Sequence, residues 1–194
     1  MSTKQNQALN IQSRAPTRVD LAGGTVDLWP LYLFLEKPVT INLGIDLFAE
    51  TSLETRAGSG EITLHSEDQG HELKLGWDQL ESFQAPPQLE LHLKFLRYFT
   101  RERGGAPEGT DLRLGTRAKS PAGAGLGGSS TLSIAMIGAL AAWARQGTER
   151  ETLDVVRDGE SLIEIARDVE TTVIQVPAGV QDYYGAMFGG LQSL

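Results

Sequence analysis

The chain has 194 residues, of which 40% are hydrophobic and 22% are charged, and this suits one domain with a substantial core. Its formal net charge of −8 argues against a nucleic-acid partner, because neutralising phosphates takes a basic surface. The lack of cysteine excludes disulfides, thiolate zinc sites and cysteine nucleophiles.

The hydropathy of the chain predicts neither secretion nor a membrane partner. Residues 1–7 are polar and lack the apolar core of a signal peptide. The longest apolar run, residues 132–144, is too short to span a bilayer. We therefore expect a cytoplasmic protein.

Strands are predicted mainly in the first half of the chain. Residues 10–15 and 39–51 are predicted strands, and in the second of them apolar side chains occupy every other position. Residues 61–65 and 71–75 predict a hairpin, and residues 111–114 predict a short strand.

Helices are predicted mainly in the second half. Residues 87–103 have helical spacing of leucines, and residues 129–145 give the strongest helical pattern. Thr148 and Glu151 form a capping-box pattern, which predicts a further helix running to about Val169. Strands followed by helices, without regular alternation, indicate an α+β fold rather than a doubly wound sheet.

A glycine-rich segment, residues 120–130, lies between a predicted strand and a predicted helix. Its glycines are Gly123, Gly125, Gly127 and Gly128. Such a loop turns successive backbone N–H groups inward, and the first turn of the following helix adds its own, so the segment predicts a site for a di- or triphosphate. The hydroxyl of Ser129 is placed to ligate a magnesium ion that bridges phosphates. The alternative is a flexible turn with Ser129 or Ser130 as a plain N-cap.

This segment resembles the phosphate-binding second motif of the GHMP kinases, the family of galactokinase, homoserine kinase and mevalonate kinase. The matching pattern is Pro121-x-Gly123-x-Gly125-Leu126-Gly127-x-Ser129-Ser130. The chain departs from it at Gly128, where the family usually carries another serine. The resemblance implies that ATP binds this loop, at Gly128 as well as at the residues of the pattern, and that Ser129 ligates Mg²⁺.

Residues 14–27 resemble the first motif of the family, and Arg-Val-Asp-Leu-Ala-Gly-Gly within them is most similar to the fucose and heptose kinases. The resemblance implies that Arg18 lies near the accepting hydroxyl, where a fixed cation stabilises developing negative charge. It also implies that Asp27 and Gly24 bind the substrate. The alternatives are that Arg18 is half of a surface ion pair and that Asp27 caps a turn.

Residues 176–190 are similar to the Gly-x-Gln-Asp-x-Tyr segment of the heptose kinases. By position, Asp182 takes the role of the base that accepts the hydroxyl proton, and Gly179 belongs to the substrate site. Glu170, twelve residues before Asp182, matches the second magnesium-binding acid of the family. The alternatives are a solvated helix residue at Glu170 and a loop acid at Asp182.

The resemblance implies a ribosomal-protein-S5-domain-2-like fold for residues 1–194, the N-terminal, ATP-binding domain of a GHMP kinase. The family's ferredoxin-like C-terminal domain is absent, so we expect the domain to be truncated after Leu194. We further expect an uncovered apolar surface that promotes self-association. A homo-oligomer and a separate C-terminal domain remain open as partners.

Three functions are compatible with the sequence. The first is ATP- and Mg²⁺-dependent phosphoryl transfer to a hydroxyl of a small sugar or sugar phosphate. The second is a non-catalytic nucleotide- or sugar-binding fragment, either a pseudokinase or a half-enzyme that needs a partner domain. The third, a translation-associated protein that shares only the fold, is disfavoured by the net charge of −8.

Overall fold

The computed structural model describes residues 8–121, 123–146, 148 and 153–194. The chain divides into two compact units. The hairpin unit comprises Met1–Ser13, Glu50–Arg117 and Met136–Leu153. The glycine-loop unit comprises Arg14–Ala49, Ala118–Ala135 and Asp154–Leu194.

The described elements confirm the α+β class. The strands are β1 (Leu9–Ala22), β2 (Ile41–Ala57), β3 (Glu61–Ser66), β4 (His71–Gly76), β5 (Thr110–Ala118) and β6 (Leu191–Ser193). The helices are α1 (Pro87–Glu102), α2 (Gly128–Ala144), α3 (Val155–Ile174) and α4 (Gln181–Phe188), with short 3-10 helices at Leu31–Phe34 and Trp77–Gln79. The sheet has the order β1-β2-β5-β3-β4, and β6 pairs with β2.

The hairpin unit contains the predicted hairpin. β3 and β4 pair antiparallel from Glu61 opposite Gly76 to Ser66 opposite His71, and β5 runs parallel to β3. Its fully buried side chains include Ile62, Leu64, Leu112 and Leu114 from the strands and Leu89, Leu93, Phe95 and Leu96 from α1. The leucine spacing that predicts a helix over residues 87–103 thus marks the buried face of α1.

In the glycine-loop unit, β6 continues the sheet by pairing with the start of β2. Ile41 faces Ser193 and Leu43 faces Leu191 in an antiparallel register. A strand is expected from the sequence after Gly190, and β6 lies there, whereas α4 is not predicted, because its eight residues give little periodicity. Both lie next to Gly189 and Gly190, which adopt positive φ and end the helix sharply.

The start of α3 differs from the prediction. The helix begins at Val155, and Asp154 is its N-cap, with a carboxylate that accepts the N–H groups of Val156 and Arg157 at 3.0 and 3.3 Å. The predicted cap residue Thr148 instead donates its hydroxyl to the carbonyl of Arg145 at 2.7 Å, and Glu151 lies outside the described residues. An aspartate beside the first turn satisfies two free N–H groups and so defines the later start.

Large apolar side chains are exposed only in the glycine-loop unit, as far as the described residues go. They are Leu21, Trp29, Leu31, Tyr32, Leu33, Phe34, Leu35, Val39, Leu43, Val155, Val156, Ile174, Val176, Phe188 and Leu191. This agrees with the expected apolar surface, while self-association stays a prediction. Among the described helices, none combines the length and the apolar character needed to cross a membrane.

Candidate active site

The glycine loop, of which the structure describes residues 120–121 and 123–127, contains backbone conformations that favour glycine. Gly123, Gly125 and Gly127 have φ values of 75°, 70° and 66°, in the left-handed region where other residues are strained. A side chain at Gly127 would also place its Cβ 3.0 Å from the Cγ of Asp182. Gly127 therefore allows both the turn and the close approach of Asp182.

Ser129 and Ser130 lie inside α2, which begins at Gly128, so the plain N-cap alternative is wrong. Ser129 is exposed, and its hydroxyl donates a hydrogen bond to Oε1 of Glu170. Ser130 is buried, and its hydroxyl bonds the phenol oxygen of Tyr183. The start of α2 thus presents one serine to the surface beside a carboxylate.

Glu170 is buried on α3, with 4% of its surface exposed, so the alternative of a solvated helix residue is wrong. Besides Ser129, two hydroxyls donate to it: Ser133 at 3.0 Å and Tyr183 at 2.9 Å, both to Oε2. Burial, and next the charge of Glu170, raise the pKa of Tyr183 well above its usual range, so this phenol remains a donor. Three hydroxyls therefore donate hydrogen bonds to a largely buried carboxylate, which offsets the cost of burying its charge.

Arg18 on β1 joins Asp182 to the glycine loop. It is buried, with 6% exposed, and donates to Oδ1 of Asp182 through Nε at 2.7 Å and also through Nη2. Its Nη1 donates to the carbonyl oxygen of Gly125 at 2.7 Å, and Asp20 lies 3.3 Å from Nε. The alternative of a surface ion pair at Arg18 is wrong, since the guanidinium is enclosed.

Asp182 lies in the first turn of α4, so the alternative of a loop acid is wrong. Burial raises its pKa above the usual aspartate value, although Arg18 acts in the opposite direction. The negative charges of Asp20 and Asp27 add to the rise. A carboxylate with a raised pKa is a better proton acceptor near neutral pH than an exposed aspartate.

Asp27 holds the start of α4. Its Oδ2 accepts the backbone N–H groups of Val180 and Gln181 at 2.6 and 3.0 Å, while its Oδ1 is buried and has no partner. A Cβ at Gly179 would collide with this carboxylate, and a Cβ at Gly24 would lie 2.9 Å from Oδ2 of Asp20. The alternative of a capping residue is therefore confirmed in part, because Asp27 caps the start of a distant helix and not a turn. Its role in substrate binding stays a prediction.

The side chains at the start of α2 fit a magnesium ion held jointly with a nucleotide. Mg²⁺ prefers oxygen ligands and is usually bound by one or two carboxylates together with substrate phosphates. Ser129 offers a hydroxyl oxygen and Glu170 a carboxylate beside it. The described residues contain no group of three or more histidine, aspartate or glutamate side chains that would enclose a metal without the nucleotide.

Comparison with known families agrees with this geometry. Residues 90–190, more than half of the chain, match the family described as the GHMP kinases N terminal domain. The chain therefore belongs to the GHMP kinase family, and the glycine loop, α2, Glu170 and Asp182 all fall within the matched region.

Among curated proteins, the chain is 29% identical over 187 residues to D-glycero-alpha-D-manno-heptose 7-phosphate kinase of Campylobacter jejuni, covering 93% of this chain and 49% of that protein. It is 26% identical over 206 residues to the L-fucokinase/L-fucose-1-P guanylyltransferase of Bacteroides fragilis, covering 95% of this chain and 20% of that protein.

Among solved structures, a D-glycero-D-manno-heptose 1-phosphate kinase from Bacteroides thetaiotaomicron superposes with a TM-score of 0.78 at 25% identity. The match covers 95% of this chain and 55% of that one. The chain thus spans about half the length of the heptose kinases that it matches.

Proposed function

We propose that this chain binds ATP with Mg²⁺ and takes part in phosphoryl transfer to a hydroxyl of a small sugar or sugar phosphate. The observation that carries the proposal is the position of Asp182, which lies against Gly127 of the glycine loop and is held there by Arg18. A proton acceptor beside a phosphate-binding loop is what the transfer of a phosphoryl group to a hydroxyl requires.

The glycine loop and the start of α2 supply the nucleotide site in this proposal. Backbone N–H groups of the loop, with the N-terminal end of α2, bind the phosphates. Ser129 and Glu170 hold Mg²⁺, which when bound neutralises charge on the phosphate oxygens. Glu170 is buried and fixed by hydroxyls, so it offers a carboxylate in one orientation.

Asp182 and Arg18 serve the acceptor. Asp182 takes the proton of the sugar hydroxyl while the hydroxyl oxygen bonds to the γ-phosphorus. The bond between the γ-phosphorus and the bridging oxygen of ADP breaks in the same step. The raised pKa of Asp182 suits it to this step. Arg18 keeps the carboxylate oriented and places a cation beside the reacting oxygen.

A sugar is the proposed acceptor because the two curated relatives are named as heptose 7-phosphate kinase and fucokinase. Asp27 supports this choice, since its buried Oδ1 has no partner and can accept a sugar hydroxyl. Gly24 and Gly179 complete the proposed sugar site, because the absence of a Cβ lets Asp20 approach Gly24 and Asp27 approach Gly179.

A non-catalytic nucleotide- or sugar-binding fragment is the alternative. It is favoured by the chain spanning only about half of the heptose kinases it matches. The kinase proposal is favoured by the hydrogen bonds that fix the buried side chains of Glu170 and Arg18 beside Ser129 and Asp182, the groups that phosphoryl transfer would use.

Calorimetric titration of Mg-ATP into the chain, followed by a coupled ADP-release assay over a panel of heptoses, heptose phosphates and fucose, tests both. The matched control is Asp182→Asn, which keeps the shape of the side chain and removes the base. Binding with sugar-dependent ADP release that is lost in the control supports the kinase.

Binding without turnover supports the non-catalytic alternative. Failure to bind Mg-ATP at all contradicts the assignment of the glycine loop.

A further inference from the structure

Tyr183 is the one side chain that joins the helix of the proposed base to the proposed metal-holding acid within the described residues. Its side chain is fully buried, and its hydroxyl lies 2.9 Å from Oε2 of Glu170. It follows Asp182 directly in the first turn of α4. We propose that Tyr183 is a positioning residue that orients the Glu170 carboxylate for Mg²⁺, an inference that rests on the proposed function.

The two carboxylate oxygens of Glu170 have different hydrogen-bond partners, and this difference supports the positioning role of Tyr183. Oε1 accepts a hydrogen bond from the hydroxyl of Ser129, the exposed serine that is the other proposed ligand of Mg²⁺. Oε2 receives the hydroxyls of Ser133 and Tyr183. Because these two hydroxyls fix Oε2 on the buried side, Oε1 lies on the side of Ser129. The hydroxyls of Ser133 and Tyr183 therefore determine the position of Oε1.

Tyr183 is the stronger of the two donors to Oε2. Ser133 has one hydroxyl proton for two acceptors, since its Oγ lies 3.1 Å from the carbonyl oxygen of Ser129 and 3.0 Å from Oε2. The proton of Tyr183 has Oε2 as its acceptor, while Ser130 bonds the same phenol oxygen. Loss of the phenol would leave Oε2 with only a shared donor, so the orientation of the Glu170 carboxylate would be less restricted.

Helix α4 links two parts of the proposed reaction. Asp182 and Tyr183 are neighbours on one short helix, and one contacts Arg18 while the other contacts Glu170. A shift of α4 therefore moves the proton acceptor and the carboxylate orientation together. The orientation of Glu170 for Mg²⁺ and the position of the proposed base Asp182 therefore both depend on α4.

The test compares the affinity for AMP-PNP, a non-hydrolysable ATP analogue, with Mg²⁺ and with EDTA, measured by calorimetry on the full chain. The ratio of the two dissociation constants is the magnesium-dependent gain. Tyr183→Phe keeps the ring and removes only the hydroxyl. We expect the gain to fall about tenfold, the lower end of what loss of an outer-sphere partner costs a metal site. The affinity in EDTA should be unchanged.

Two further variants keep the test decisive. Ser133→Ala removes the shared donor and should lower the gain less than Tyr183→Phe does. Tyr98→Phe removes a phenol from α1 in the hairpin unit, which carries none of the proposed site, and should leave the gain unchanged. Thermal unfolding of each variant shows whether the chain remains folded.

An unchanged gain in folded Tyr183→Phe overturns the inference and leaves the proposed function standing. An equal loss of affinity with Mg²⁺ and with EDTA also overturns it, because that pattern indicates damage to the whole nucleotide site. A wild-type chain that binds AMP-PNP equally well with and without Mg²⁺ overturns both this inference and the magnesium part of the proposed function.

Discussion

The hairpin unit and the glycine-loop unit differ in where their charged side chains and their exposed apolar side chains lie. In the hairpin unit the large apolar side chains are inside, and the ion pairs, such as Lys74 with Glu61 and Arg101 with Glu81, are exposed. In the glycine-loop unit the charged side chains of Arg18 and Glu170 are buried, and some large apolar side chains, such as Phe34, are exposed although others are buried.

This contrast separates the source of stability from the source of function. Exposed ion pairs contribute little free energy, so the hairpin unit is stabilised mainly by its apolar core. Buried charges are costly unless each is fully hydrogen-bonded, and they are retained where chemistry requires them. Substitutions in the two units should therefore affect different measurements.

The largest expected effect comes from the core of the hairpin unit. Phe95 is fully buried on α1, and Phe95→Ala should lower the free energy of unfolding by about 3–5 kcal/mol through lost burial and a cavity. Phe34 in the glycine-loop unit is 80% exposed, so Phe34→Ala should change it by less than about 0.5 kcal/mol. Urea unfolding measures both.

The same pair tests the apolar surface of the glycine-loop unit. Sedimentation velocity should show weaker self-association for Phe34→Ala than for the wild-type chain, since an exposed apolar group is removed. Equal losses of stability in the two variants would contradict the division between the units.

The next largest effect is on the pH dependence of the free energy of unfolding, through His92 in the hairpin unit. Burial lowers the pKa of His92 from 6.5 to about 4. Below pH 6.5 the unfolded chain binds a proton on His92, whereas the folded chain binds it only near pH 4. The contribution of His92 to the free energy of unfolding is therefore present above pH 6.5 and is lost as the pH falls towards 4. The loss from this group should reach about 3 kcal/mol at pH 4.

His92→Gln is the control, because glutamine does not titrate and its amide can contact Thr116, which lies 2.7 Å from His92 Nε2. Urea unfolding between pH 7 and pH 4 should show a smaller loss for the variant than for the wild type. Parallel pH curves would show that His92 does not cause the dependence.

A smaller effect distinguishes two glycines with nearly the same conformation. Gly127 and Gly70 have φ values of 66° and 65°, so an alanine at either should cost about 1–2 kcal/mol of backbone strain. Only at Gly127 would the new Cβ meet Asp182, whereas nothing lies within 4 Å at Gly70. Calorimetry should therefore find weaker Mg-ATP binding for Gly127→Ala alone, and equal binding by both variants would contradict the contact.

The smallest effect is a displacement of the pH–rate profile. Because burial raises the pKa of Asp182, the acidic limb of kcat/KM should lie at a higher pH than an exposed aspartate would give. The displacement is measured by the sugar-dependent release of ADP across the acidic range. A rate that remains constant down to the ordinary pKa of aspartate would exclude Asp182 as the proton acceptor.

The elements with strong periodicity were predictable from the sequence. The β3–β4 hairpin and helices α1 and α2 follow from alternation and helical spacing, and glycines before a strong helix indicate the glycine loop. The short α4 was not predictable, because Gly185 lies inside it and eight residues give little periodicity.

The contacts that organise the site were also out of reach. The motifs propose Asp27 and Asp182 individually, but the bond from Asp27 to the backbone of Val180 joins residues 153 positions apart. Burial decides that Arg18 and Glu170 are internal and not surface charges, and burial depends on the packing of several elements at once. Tyr183 occupies a variable position of its motif, so no pattern indicated it.

The two oxygens of Asp27 restrict how acceptor preference can be altered. One is fixed to the backbone at the start of α4, and the other is the acceptor that we propose for the sugar. An engineer who replaced Asp27 to admit a different sugar would also loosen the helix that bears Asp182. Acceptor preference is therefore better altered through residues that leave both backbone bonds of Asp27 in place.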